Sequence, residues 1–229
     1  MRAERTRLLI PTGTDGTTFD LPVARACAGE TRFARLAGDS WMLLPAPIRR
    51  RFSRHLADGE RLVYLGEVAA THMTMAGRLI AQLARLVGAP LPLETSGRGP
   101  VTVIVTGSER LCGQVWTRIY DRERSFPQVI QSVKRFSGAT GLEEMVGRGV
   151  GMRLKLEVSD GALVFRSAGY FIRCLGIQIS LPHWLTPGLI EVIHREESCG
   201  GFSFSLSVTH SWAGPVIDQI AFFREEHSL

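Results

Sequence analysis

The chain has only four cysteines in 229 residues, Cys27, Cys112, Cys174 and Cys199, and they lie far apart. They form neither a C-x-x-C pair nor a metal-type spacing, so no metal site is read from them and a reduced, cytoplasmic protein is expected. No run approaches the ~18 consecutive apolar residues that a spanning helix needs. The opening M-R-A-E-R-T-R-L-L-I-P-T-G carries an apolar run too short for a secretory signal. No export or transmembrane segment is expected. The sequence also lacks G-x-S-x-G, H-E-x-x-H and the Walker A pattern. At 147–151, G-R-G-V-G leads into an alternating strand pattern rather than a helix, so no helix N-terminus waits there for a pyrophosphate. A turn or bulge is expected instead, and neither a nicotinamide nor a flavin cofactor. There is no internal repeat and no low-complexity tail.

Hydrophobic residues make up 45% of the chain and charged residues 21%, which is close to the globular average and enough to bury a sizeable core. The expected organisation is an N-terminal extension over residues 1–32 and a single β-barrel-like domain over 33–229. The net charge of +5 permits binding to phosphate or an anionic surface without requiring it. Basic residues concentrate at Arg49, Arg50, Arg51 and Arg54 beside His55. With Pro47 in a first turn and Ile48 and Phe52 at helical spacing, this reads as the solvated face of a short helix, with weak membrane-surface contact as the functional alternative. No nucleic-acid partner is expected, because no aromatic beyond Phe52 interleaves with the arginines.

Residues 7–21 read as two short strand pieces around Asp15-Gly16, and 21–33 as a weak helix. Short helices broken at Gly38 and around the prolines are expected over 33–55. A first strand follows at 61–70. Thr74 then caps a helix to about Val87, with Ala76, Leu79, Ile80 and Leu83 on one face and Arg78, Gln82 and Arg85 on another. After residue 100 come short β-rich runs at 101–106, 113–120, 129–136, 152–158, 163–167, 170–181, 189–197, 202–210 and 216–223. S-D-G-A is a hairpin turn between the fourth and fifth of these. The spacing leaves no room for crossover helices. It predicts a mainly β fold, an antiparallel meander curling into a barrel or half-barrel with one packed amphipathic helix; a barrel of roughly eight strands has just enough interior to be filled by side chains or to hold one small ligand.

The stretch C-G-Q-V-W-T-R-I-Y carries the strongest chemical signal. Strand alternation puts Trp116, Arg118 and Tyr120 on one face and Val115, Thr117 and Ile119 on the other. Arg118 between two aromatics is either a satisfied structural arginine, with Glu157, Glu191 or Glu196 as partner, or the wall of a pocket that receives an anion or carbonyl oxygen. In I-E-V-I-H-R-E-E, His194 and Glu196 share a strand face with Ile190 and Val192. A carboxylate can orient an imidazole for acid/base work, or the two can be a structural pair. Tyr170, Phe202 and Phe204 supply further aromatic wall, the last two within an F-S-F-S-L-S-V-T alternation of apolar and hydroxylic residues.

The order of landmarks also resembles a known family. W-T-R-I-Y, G-L-E-E-M-V-G, the D-G-A-L hairpin, L-G-I-Q-I-S-L-P-H-W-L-T-P, R-E-E-S-C-G-G-F-S-F-S-L and A-G-P-V-I follow one another as in the bacterial domain-of-unknown-function family 4166. Upstream, F-A-R-L-A-G, L-P-A-P-I-R-R-R-F and G-R-L-I-A-Q-L-A-R-L-V-G-A-P-L-P extend the likeness over about 33–223. Such domains often follow a saccharopine-dehydrogenase-like or short-chain-dehydrogenase-like domain. This chain is expected to be a free-standing, diverged member, with Tyr120 where the family usually has phenylalanine and I-D-Q-I-A-F-F in place of a terminal tyrosine-glycine pattern. The resemblance supports a β-rich fold and implies no established activity.

The functional expectation is a barrel cavity that binds an extended hydrophobic small molecule, polyketide-like, terpenoid or acyl. Arg118, Tyr120, His194 and Glu196 are the candidate catalytic residues of a cofactor-independent cyclase or isomerase. Trp116, Tyr170, Phe202 and Phe204 line the ligand. A non-catalytic lipid or metabolite carrier with the same pocket is the alternative, and a basic membrane or nucleic-acid interaction module the third.

Overall fold

The computed structural model describes residues 32–86, 98–122, 126–147, 149–175, 177–198 and 200–225. The strand pieces expected at 7–21, the weak helix at 21–33 apart from its last two residues, and the stop at Gly88 and Pro90 lie outside them. The first described elements are helical. Helix α1 (Arg32–Ala37) passes at Gly38, with φ +58°, into a 3₁₀ turn (Gly38–Leu43), and α2 (Ala46–Ser53) starts after Pro45 with Pro47 in its first turn. The breaks fall where the glycine and prolines place them.

Eleven strands follow: β1 (Arg61–Met73), β2 (Gly99–Ser108), β3 (Gly113–Tyr120), β4 (Gln128–Arg135), β5 (Glu143–Gly147), β6 (Val150–Ser159), β7 (Ala162–Cys174), β8 (Ile177–Ser180), β9 (Leu189–Glu196), β10 (Phe202–His210) and β11 (Gly214–Glu225). Helix α3 (Met75–Leu86) joins β1 to β2. The spatial order is β6-β5-β4-β3-β2-β1-β11-β10-β9-β7-β8, and β6 also pairs with β7. That last pairing closes ten antiparallel strands into a barrel and leaves β8 outside it. The turn between β6 and β7 holds Asp160 at φ +49° and Gly161 at φ +70°, the double left-handed geometry that two-residue hairpins favour.

Two departures from the expected strands have physical causes. The runs at 163–167 and 170–181 belong largely to one strand, β7, which bends through Gly169 at φ +119° and, on the edge away from β6, serves two neighbours. Its residues 163–166 pair with β9, and 171–174 with β8. Strand β5 had no alternation to announce it, since adjacent glutamates are poor strand formers; here Lys134 and Arg173 neutralise Glu144 and Glu143. Ten strands close the barrel, more than the roughly eight whose interior side chains can fill, so the interior is wider than side chains alone fill.

The two ends of the barrel differ. At one end α1, the 3₁₀ turn and α2 form a plug: Phe33 meets Phe52, Phe136 and Phe165 edge-on, and Ile48 is fully buried. Arg51 does not sit on a solvated helix face. Its guanidinium lies 3.9 Å from the centre of the Phe202 ring and bonds to Glu196 at 3.1 Å, while Arg54 pairs with Glu60 and Glu225. At the other end α3 lies along β11. Thr74 caps it by accepting from the Gly77 amide at 3.1 Å, and a Cβ at Gly77 would strike the Val216 carbonyl. Only a glycine allows that approach. No helix among the described residues is long and apolar enough to cross a membrane.

Candidate functional site

Between the plug and α3 the barrel encloses a cavity of about 860 Å³, within the range of small-molecule sites. Its wall is mostly apolar, drawn from inward positions such as Val103, Ile130, Met152, Phe165, Val192 and Leu206. Leu79 and Leu83 of α3, Trp184 and Trp212 line its mouth and are also exposed. Strands β4 and β5 pair only through residues 133–135 and 143–145, near the plug. Toward the mouth they diverge, and Gln131 joins the lining.

One patch of this wall is charged. The register sets Trp116 opposite Ser132 and Lys134 opposite Glu144, so three neighbouring strands bring Arg118, Ser132, Lys134 and Glu144 together on the inward face. Lys134 Nζ lies 2.6 Å from Glu144 Oε2, and Ser132 Oγ donates to Glu144 Oε1 at 2.5 Å. Arg118 donates to Ser132 Oγ at 3.1 Å and lies 3.6 Å from Glu144 Oε1. All four line the cavity. Lys134 also sits 5.0 Å from the Trp116 ring centre and 5.6 Å from that of Phe165, at cation–π range.

Protonation follows from these surroundings. Burial works to raise the Glu144 carboxyl, but Lys134, Arg118 and the two hydrogen bonds outweigh it and hold the group at about 2. Burial pulls the Lys134 ammonium down, with Arg118 acting the same way against the attraction of Glu144. Burial pushes the Tyr120 phenol up, opposed by Arg118. The Tyr120 hydroxyl lies 3.5 Å from Gln219 Oε1, and Tyr170 donates to the Gly188 carbonyl at 2.8 Å.

Of the residues singled out in the sequence, Trp116, Arg118, Tyr120, Tyr170 and Phe204 meet on this cavity. Phe202, His194 and Glu196 do not line it. His194 and Glu196 face inward as their alternation requires, but at the plugged end, where both contact Arg51 Nη1 at 2.9 and 3.1 Å. Arginine only donates, so His194 Nε2 accepts and Nδ1 carries the proton. The ring is fully buried against Phe52, Phe202 and Phe204. Burial, reinforced by Arg51, pushes its pKa well below 6.5 and keeps it neutral. The partner of Arg118 is Glu144. Glu157 and Glu191 instead grip Arg166, with Glu157 Oε2 at 2.8 Å and Glu191 Oε2 at 2.5 Å.

The model of a protein family described as Domain of unknown function (DUF4166) matches residues 44–223, which take in α2, α3 and all but the last two residues of the barrel. The chain belongs to DUF4166. No curated protein and no solved structure matches it.

In this DUF4166 domain the charged patch is half legible and half hidden. Arg118 stands out because two aromatics flank it at period two. Ser132 and Lys134 alternate with Val133 and Arg135 in a strand that carries polar groups on both faces, and nothing local says which face is inside. Glu144 is hidden for a second reason, since it becomes a partner only through pairing between β4 and β5. The run I-Q-S-V-K-R followed by G-L-E-E was the available signal: a lysine and a carboxylate within one hairpin, next to the strand of Arg118.

Proposed function

We propose that this DUF4166 domain binds an extended apolar small molecule, of acyl, terpenoid or polyketide-like type, and holds its carboxylate or carbonyl oxygen against Arg118 and Lys134. The observation that carries this reading is the charge of the patch. Two cations, Arg118 and Lys134, face one anion, Glu144, in the wall of an otherwise apolar cavity. One excess positive charge in such surroundings is stabilised when a ligand anion enters. The ionised oxygen accepts from guanidinium and ammonium while the tail displaces water from the apolar wall.

Carriage is the better-supported task. Glu144, held at about 2, is a feeble base, and His194 lies outside the lining. A second reading, a cofactor-independent cyclase or isomerase, draws on the lowered pKa of Lys134 and on Tyr120 in the cavity wall. In it Arg118 stabilises an enolate oxygen, Lys134 in its neutral form takes a proton, and Tyr120 supplies one.

A dansyl-tagged undecanoic acid tests the binding claim by fluorescence enhancement. Saturable binding is expected, weakened at least about tenfold by Arg118→Met and also weakened by Leu206→Trp, whose indole takes up part of the cavity, with both variants checked for native circular dichroism. Absence of binding, or binding indifferent to both substitutions, overturns it. If chemistry occurs, Tyr120→Phe removes turnover while the probe still binds.

A further inference from the structure

We propose that the open end of the barrel docks on an anionic lipid bilayer, with α3 and the turns bearing Trp184 and Trp212 entering the headgroup layer. The inference rests on where the cavity opens, not on what it holds.

Large apolar side chains in contact with water gather at this end. Leu79 and Leu83 on α3 are 64% and 56% exposed, Trp184 is 60% exposed, Trp212 78%, and Leu175 96%. The first four also line the cavity, so they belong to its rim. They converge from separate connections: β1 to β2 through α3, β8 to β9 through Trp184, and β10 to β11 through Trp212. The β8–β9 segment reaches the rim because Gly188 abuts the Thr209 carbonyl and accepts from Tyr170. Leu175 stands in the β7–β8 turn. An apolar patch of this kind marks a protein or membrane contact, and tryptophan is the side chain most suited to the level of the lipid headgroups.

Charge separates a bilayer from a second copy of this chain. α3 contains Arg78 and Arg85 and no acidic residue, nor do residues 181–188 or 211–213. Both arginines are exposed and pair with no carboxylate among the described residues. At the plugged end Arg51 and Arg54 are taken up by Glu196, Glu60 and Glu225, while Arg49 and Arg50 pair with no carboxylate among the described residues. In a two-fold contact between copies of this chain through the rim, the α3 arginines of both copies would face each other with no carboxylate from these segments to neutralise them. An anionic bilayer neutralises them and buries the leucines and tryptophans together.

Vesicles of phosphatidylcholine with about 30% phosphatidylglycerol test this against vesicles of phosphatidylcholine alone, read by tryptophan emission with brominated lipid as quencher. Trp41 and Trp116 are buried, so quenching reports Trp184 and Trp212. Salt-sensitive binding to the anionic vesicles, with a blue shift and quenching, is expected. Arg78→Glu with Arg85→Glu should weaken it at least about tenfold, and Leu79→Glu with Leu83→Glu should abolish it. The arginine variant, whose residues do not line the cavity, should still bind the dansyl-tagged acid in solution; that separates a failure of docking from a failure of the cavity reading. The proposal is overturned if the protein ignores anionic vesicles, if it binds them with Trp184 and Trp212 unquenched, or if the rim substitutions dissolve a dimer and leave vesicle binding unchanged.

Discussion

Lys134 and Glu144 are each about nine-tenths buried, and each is tolerable there because of the other. Lys134→Met strands a carboxylate in the cavity wall with Arg118 as a more distant partner, and a loss of about 3–5 kcal/mol is expected in urea unfolding. Glu144→Gln leaves two cations side by side and should also destabilise. The double replacement by methionine should cost clearly less than the sum, since it removes both desolvated charges; additive losses would contradict the pairing. His194 gives a pH signature. Its folded pKa is depressed well below the ordinary 6.5, so below that pH the unfolded chain takes up a proton that the folded chain refuses. Stability is full above 6.5 and falls as the pH drops, by at most about 1.4 kcal/mol per pH unit. His194→Gln, which can still accept from Arg51, should flatten the profile between neutrality and the range where carboxylates titrate. Further down, Glu144 adds its own loss between 4.5 and about 2. At this scale the sequence shows which side chains share a face and hides whom they meet. Trp116, Arg118 and Tyr120 were legible by alternation. The partner of Arg118 is Glu144 and not Glu157, Glu191 or Glu196, a choice set by hairpin register, which leaves no local trace.

Helix α3 illustrates the same division among elements. Its apolar spacing and its Thr74 cap are readable along the chain, and the observed range Met75–Leu86 agrees with them. That its apolar stripe rims a cavity, instead of being sealed beneath a layer, depends on the barrel's width. Gly77 fixes how closely α3 lies on β11, so Gly77→Val should push the helix off the Val216 carbonyl. A stability loss of about 1–3 kcal/mol and weaker probe binding are expected together. Unchanged probe affinity would show that the seating of α3 does not shape the mouth. In α2 the spacing of Ile48 and Phe52 correctly marks the buried face, but the arginine run reads as solvated while Arg51 turns inward to an aromatic and a carboxylate on distant strands. Charge density along a helix does not reveal which charge finds a partner over a hundred residues away.

For the whole molecule, the meander and its curling follow from strand spacing and the absence of crossover helices, and which pair of strands closes the sheet does not. Ten strands closed through β6 and β7, with β8 left outside, leave a cavity in the barrel. The central claim is that this cavity takes an apolar molecule by its anionic end. A titration of hexadecanoic acid against its methyl ester, by displacement of the dansyl-tagged acid from wild type and Arg118→Met, tests it most directly. The account expects the acid to bind wild type at least about tenfold more tightly than the ester, and the gap to collapse in Arg118→Met as the acid weakens and the ester does not. Equal affinities for acid and ester in wild type, or a gap that survives the loss of Arg118, would contradict it.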